Sequence, residues 1–149
     1  MATDGTNLHS GGNLIAAANY GNGAGLAGTN TAGTTGTSTG SGQFLTVQLT
    51  AGRTVTVTPT GNAGQVILGV LQNKPALGQA ADLVFVGETK FIADSTGSIT
   101  AGMYLQASSA TAGAVMAWVT TKYAIGIAYE AAAAGQVFTG LLFSPQKYT

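Results

Sequence analysis

Side chains able to do acid–base, nucleophilic or metal chemistry are scarce in this chain. One histidine, His9, and five carboxylates, Asp4, Asp82, Glu88, Asp94 and Glu130, are nearly the whole supply, and there is no Cys. Without Cys there is neither a disulfide framework nor a thiolate metal site. Asp82, Glu88, Asp94 and Glu130 are spread along the chain with no two at ligand spacing. His9 and Asp4 lie in a Gly-rich stretch, so a triad of these two with a Ser would lack the rigid support that catalysis needs. The expectation is a protein that is not an enzyme, with no catalytic residues, no cofactor and no metal site.

Three further patterns invite a functional reading. Gly23-Ala24-Gly25-Leu26-Ala27-Gly28 fits G-x-G-x-x-G. A dinucleotide site needs a strand before that motif and a helix after it. The Thr/Gly-rich run that follows will not form a helix, so composition alone accounts for the match. Thr54, Thr56, Thr58 and Thr60 alternate along one segment. A row of hydroxyls can hold water or sugar, but Thr is also the ordinary occupant of the outer face of a half-exposed strand. Trp118, with Val115 and Tyr123 near it, suits a core or a trimer seam better than a ligand platform.

Composition narrows the function classes. Of 149 residues only ten are charged, five of each sign, giving a net charge of zero. There is no basic excess to act as an electrostatic footprint for nucleic acid. No stretch approaches the ~18 uninterrupted apolar residues of a membrane span. The N-terminus shows no basic region followed by an apolar one, so the expected place of synthesis is a cytoplasm. A soluble monomer normally keeps charge on its surface. A chain this poor in charge, with 45% hydrophobic residues, suits a subunit largely covered by neighbours.

The chain divides in two. Residues 1–42 hold 11 of the 23 glycines and read as Gly, Thr, Ser, Asn and Ala with few apolar side chains. Such a stretch buries too little apolar surface to offset its ordering entropy. It is expected to be an extended arm, either a plain tail or one that orders on a neighbouring subunit through Leu14, Ile15, Tyr20 and Leu26. From residue 43 to 149 the pattern becomes short runs of period two, the mark of half-buried strands. Such runs cover 44–49, 54–58, 65–71, 83–86, 90–93, 104–107, 115–119, 123–128 and 138–143, with glycines between them. The expected fold class is all-β, a small barrel or sandwich of about nine short strands. The Ala-rich segment 128–134 is expected to be a loop or one short helical turn.

A weak internal repeat runs through this body. Leu68-Gly69-Val70, then Gly78-Gln79, then Leu83–Val86 parallel Ile125-Gly126-Ile127, Gly135-Gln136 and Leu141–Phe143 at an offset of 57. Leu49-Thr50-Ala51-Gly52 also matches Ile99-Thr100-Ala101-Gly102, at an offset of 50.

Several of these pieces resemble the small capsid cement (head decoration) proteins of tailed bacteriophages. They are Ile99-Thr100-Ala101-Gly102 entering a strand, Gly69-Val70, and Ile125-Gly126-Ile127-Ala128-Tyr129-Glu130 followed by Ala131–Ala134 and Gly135-Gln136. The likeness covers residues 64–143; the arm and the first strands have no counterpart. It implies a compact β subunit, usually a homotrimer, on the outer capsid surface of the virion. The implied partners are the major capsid protein and further copies of itself, with no small-molecule substrate. The function expected is to stabilise the shell by bridging capsomers. The alternative is a carbohydrate-binding or adhesive β module of a fibre or surface layer, which a cluster of exposed aromatics on one face would favour.

Overall fold

A computed structural model describes residues 15–20, 43–49, 54–61, 64–75 and 80–148. The fold is all-β. Ten strands follow one another: β1 (Ile15–Tyr20), β2 (Thr46–Leu49), β3 (Thr54–Val57), β4 (Gly69–Leu71), β5 (Ala80–Val84), β6 (Gly87–Ile92), β7 (Tyr104–Ala107), β8 (Val115–Ala117), β9 (Tyr123–Ala128) and β10 (Val137–Lys147). They form two groups of five. The first, β1-β3-β2-β4-β5, closes on itself because β1 pairs antiparallel with β5 and parallel with β3. The second is a sheet in the order β6-β10-β9-β7-β8.

Nine strands overlap the expected period-two runs, β5 and β6 starting about three residues earlier than expected, and the tenth lies where an arm was expected. The backbone of residues 15–20 pairs within its own chain, from Ile15 opposite Val84 to Asn19 opposite Ala80. The Ala-rich segment after β9 is a loop, with Ala132 bridged to Ile99. A helix would leave that apolar Ala132 contact unmade.

The two groups share one pairing plan. Opened between β1 and β3, the first reads β3-β2-β4-β5-β1; reversed, the second reads β8-β7-β9-β10-β6. Registers agree as well. Val70 faces Val84 and Leu71 faces Leu83, while Ile127 faces Leu141 and Ala128 faces Gly140, each 57 residues later. Val47 faces Gly69 across β2 and β4, as Leu105 faces Gly126 across β7 and β9. Even the closure recurs: Tyr20 bridges Val55 in parallel, and Ala93 bridges Val115 in parallel. The fold is two five-stranded units in tandem, β1–β5 and β6–β10. The offset-50 match is not part of this plan. Strand pairing makes Leu49, opposite Val55, the counterpart of Ala107, opposite Val115, rather than of Ile99.

Alternation decides which side chains are buried. In the first unit Leu45, Val47, Val55, Val57, Leu71 and Leu83 form one apolar cluster. Phe91, Leu105, Val115, Ile125, Phe138 and Leu142 form the other, with the Phe91 and Phe138 rings 5.8 Å apart. Ile67, Val70 and Val84 of the first unit belong to that second cluster, so the units share an apolar seam. Each such fully buried side chain contributes about 1.5–3 kcal/mol of transfer free energy.

The Thr row departs from the outer-face expectation. Thr56 and Thr58 are not on a half-exposed face; both are buried, as is Thr46. Thr46 Oγ1 donates to Thr58 Oγ1 at 3.1 Å. Over this end lies the β7–β8 connection of the second unit: Thr46 N–H donates to the Gly113 carbonyl at 2.8 Å and Gly113 N–H to the Thr58 carbonyl at 2.9 Å.

Candidate functional site

Four aromatic side chains gather on the second unit where solvent reaches them. Tyr104 begins β7, Trp118 follows β8, Phe143 sits late in β10 and Tyr148 follows it. Ring centroids lie 6.3 Å apart for Tyr104 with Trp118 and for Tyr104 with Phe143. They lie 5.7 Å apart for Tyr148 with Tyr104 and with Trp118. All four contacts are edge-on or tilted, the arrangement that the ring quadrupole favours. Tyr104 is 43% exposed and Tyr148 39%, while Trp118 and Phe143 are half-buried. Met103 and Val119, both exposed, flank Tyr104 and Trp118 along the chain.

The cluster is held in place by local hydrogen bonds. The Trp118 indole N–H donates to the Lys122 carbonyl at 2.8 Å. Trp118 N–H donates to the Tyr104 carbonyl at 2.8 Å, which fixes the two rings on adjacent strands. The next amide, Val119 N–H, donates to Oε1 of the buried Gln106 at 2.8 Å. Tyr148 OH donates to Gln146 Oε1 at 2.8 Å. The arrangement is a preset, mostly apolar platform with a few polar tips. It can stack against another flat or apolar surface, and it carries no group poised for proton transfer.

Trp118 thus sits in a surface cluster rather than in the core. Sequence spacing missed the cluster because its members come from three separate segments, and only the pairing of β7 with β8 and β9, and of β9 with β10, brings them together. A cue was available in Tyr104, whose neighbours Met103 and Leu105 left a large aromatic on the outward side of a period-two run.

Two of the four expected arm anchors belong to a strand. Ile15 and Tyr20 are the two ends of β1. Leu14 and Leu26 lie outside the described residues, as do His9, Asp4 and the Gly23–Gly28 motif.

Two of the remaining carboxylates, Asp94 and Glu130, accept hydrogen bonds that tie neighbouring segments together. Asp94 is fully buried and accepts from three donors, one of them shared between its two oxygens. Thr96 N–H and Thr96 Oγ1 each reach Oδ1 at 3.0 Å, Thr96 Oγ1 also reaches Oδ2 at 3.0 Å, and Ser108 Oγ donates to Oδ2 at 2.9 Å. Ser108 Oγ in turn accepts from Ala110 N–H at 2.9 Å and Thr111 N–H at 3.1 Å. Asp94 therefore ties the end of β6 to the β7–β8 connection that docks on the first unit. Glu130 Oε1 accepts from Thr139 N–H at 2.6 Å. Among the described residues no three His, Cys, Asp or Glu side chains are grouped so as to hold a metal ion.

No protein-family model matches the sequence, and neither does any curated protein. In fold, the chain is similar to the N base of the head fiber gp8.5 in bacteriophage phi29. That likeness has a TM-score of 0.54 at 12% sequence identity, and covers 91% of this chain and 99% of the other.

Proposed function

We propose that this chain is a structural protein of a phage virion, attached to the outer surface of the head. More specifically, it acts as a capsid cement or decoration protein that binds the major capsid protein as a homotrimer and bridges neighbouring capsomers. The observation that carries the reading is the likeness in fold to a phage head fiber base over nearly the whole of both chains. Two features of this chain support it. It has ten charged residues in 149, and it presents an aromatic platform to solvent. Desolvating neutral polar groups costs far less than desolvating charges, so such a surface suits close packing against a shell. Linked contacts from several copies raise the effective concentration of each.

The test mixes purified protein with undecorated heads, followed by sedimentation and electron microscopy, and then by the temperature at which filled heads rupture. Regular density on the shell and a higher rupture temperature are expected. Attachment should change little between low and moderate salt, because few charges take part. Heads that stay bare, or a hundredfold loss of affinity over that salt range, would refute the reading.

One observation favours a second reading. The cluster of Tyr104, Trp118, Phe143 and Tyr148 is the kind of exposed aromatic face on which sugar rings stack, as in an adhesive or carbohydrate-binding module of a fibre. Binding of host-surface oligosaccharides that protects Trp118 from a collisional quencher, without any binding to heads, would select it.

A further inference from the structure

The tandem units bury one face fully and leave its counterpart partly open to solvent. In the first unit that face carries Thr46, Thr58, Val70 and Val84, all buried within the chain. Strand pairing equates these with Tyr104, Trp118, Ile127 and Leu141 of the second unit. Thr58 N–H donates to the Thr46 carbonyl as Trp118 N–H donates to the Tyr104 carbonyl. Yet Tyr104 is exposed and Trp118, Ile127 and Leu141 are only half-buried.

The first unit's face is covered in a definite way. Gly113, in the β7–β8 connection, bonds to Thr46 and Thr58, and the β3–β4 connection bonds back to the end of β7. Gly61 N–H donates to the Ser109 carbonyl at 2.9 Å, and Gly64 N–H to the Ala107 carbonyl at 3.0 Å. Both sides of this junction have counterparts that remain exposed or half-buried among the described residues. Gly61, with φ of 85°, corresponds to Thr121, with φ of 80°, in the exposed β8–β9 connection. Ala107, fully buried, corresponds to Leu49, which is 59% exposed at the end of β2.

We infer that copies of this chain associate head to tail, with the Tyr104–Trp118 face of one copy receiving the Leu49 end of the first unit of the next. The contact repeats between chains the junction that already joins the two units within one chain. Its occupant is a second copy because the surface already fitted to such a face is the strand end of a sister unit, and Leu49 is that end left apolar and open. A contact between two different surfaces propagates, into a ring where the rotation closes and into an open string where it does not. The inference deepens the self-association in the proposed function but does not need a capsid, and is measured on the pure protein.

The test uses two single-face variants, Leu49→Asp and Tyr104→Asp, with circular dichroism and melting as controls for folding. Trp118 is the only tryptophan, so its emission and its access to iodide report directly on the face. Wild type should be oligomeric by native mass, with Trp118 protected from iodide and exposed on dilution. Each variant alone should be monomeric, since truncating or charging a central aromatic or apolar anchor weakens association by about thirtyfold or more. Mixed, the two variants should form a dimer and stop there, because one intact Leu49 end meets one intact aromatic face. A wild-type monomer, or an oligomer in which Trp118 stays open to iodide, overturns the inference. So does either variant forming dimers by itself, which means like faces pair. If a variant misfolds, dilution and iodide quenching of wild type decide alone. Failure of head binding would leave these results standing, and failure here would leave head binding standing.

Discussion

Gly69 and Gly126 occupy the same place in the two units, and each is a glycine for the same steric reason. A Cβ added at Gly69 would lie 2.6 Å from the Val84 carbonyl oxygen, and one added at Gly126 would lie 2.5 Å from the Leu141 carbonyl oxygen. In both cases the obstacle is backbone of the neighbouring strand, which cannot swing away as a side chain can. The offset of 57 seen in the sequence is therefore the trace of a repeated close approach between strands, not of shared composition.

Replacing Gly126 with Ala should destabilise the fold by about 1–3 kcal/mol, the usual penalty for forcing extra volume into a packed interior. In a chain of this length that lowers Tm by roughly 2–4 °C per kcal/mol. Gly69→Ala should behave alike. Gly102→Ala is the informative contrast, since nothing lies within 4 Å of the added carbon and only its φ of +85° opposes it. Thermal melting followed by circular dichroism compares the three; equal effects at Gly126 and Gly102 would refute the steric account.

Asp94 should be the most sensitive polar position. Asp94→Ala removes the acceptor for the Ser108 and Thr96 hydroxyls and for Thr96 N–H. The Ser108 hydroxyl is buried, and leaving such a donor unsatisfied costs about 1–3 kcal/mol, while the exposed Thr96 can turn to water. Asp94→Asn keeps one carbonyl oxygen and should lose less. Because the network holds the β7–β8 connection against Thr46 and Thr58, the Ala variant should also speed amide exchange at Thr46 and Gly113. Unchanged exchange there would separate Asp94 from the seam between the units.

Thr121 is strained. Lys122 N–H donates to the Val119 carbonyl at 3.2 Å, closing a turn in which Thr121 takes the third position with φ of 80°. A type II turn wants Gly or Asn there, and a β-branched residue held in that region costs on the order of 1–3 kcal/mol. Thr121→Gly should therefore raise Tm by a few degrees, even though Gly stiffens the unfolded chain least. The counterpart in the first unit is already Gly61, with φ of 85°. A fall in Tm would show that the Thr side chain is needed at the aromatic face.

How much of this was legible in the sequence follows from which interactions are local. The strands of 104–107 and 123–128 show as period-two runs because side chains alternate between core and solvent within each strand. Gly69 and Gly126 announce a repeat because a close approach tolerates no other residue. The aromatic face was hidden, since Tyr104, Trp118, Phe143 and Tyr148 meet only through long-range pairing. The Thr row misled for a related reason: Thr58 looks like part of an outer face, but the β7–β8 connection of the second unit lies over it. Residues 15–20 gave no strand signal because Ile15 is the one β-branched residue of an otherwise Ala-rich run with Gly on both sides.

That last strand yields the sharpest contrast. An arm that docked only on neighbours could be removed without changing how the isolated chain melts. The pairing of Ile15–Asn19 with Ala80–Val84, and of Asn19 and Tyr20 with Thr54 and Val55, predicts otherwise. Deleting residues 1–42 leaves the edges of β5 and β3 with unpaired N–H and C=O groups, which both weakens the ring and invites edge-to-edge association. The stabilisation lost is reduced by the cost of tethering β1 through the long connection to β2, but that cost grows only slowly with length. A net loss of about 2 kcal/mol would lower Tm by about 4–8 °C. Deleting residues 1–12 alone, which spares β1, should leave Tm where it was. Melting of the two truncated chains at several concentrations separates the effects: the longer deletion should melt lower and aggregate as concentration rises. If both truncated chains melt like the full one, β1 contributes nothing to the ring.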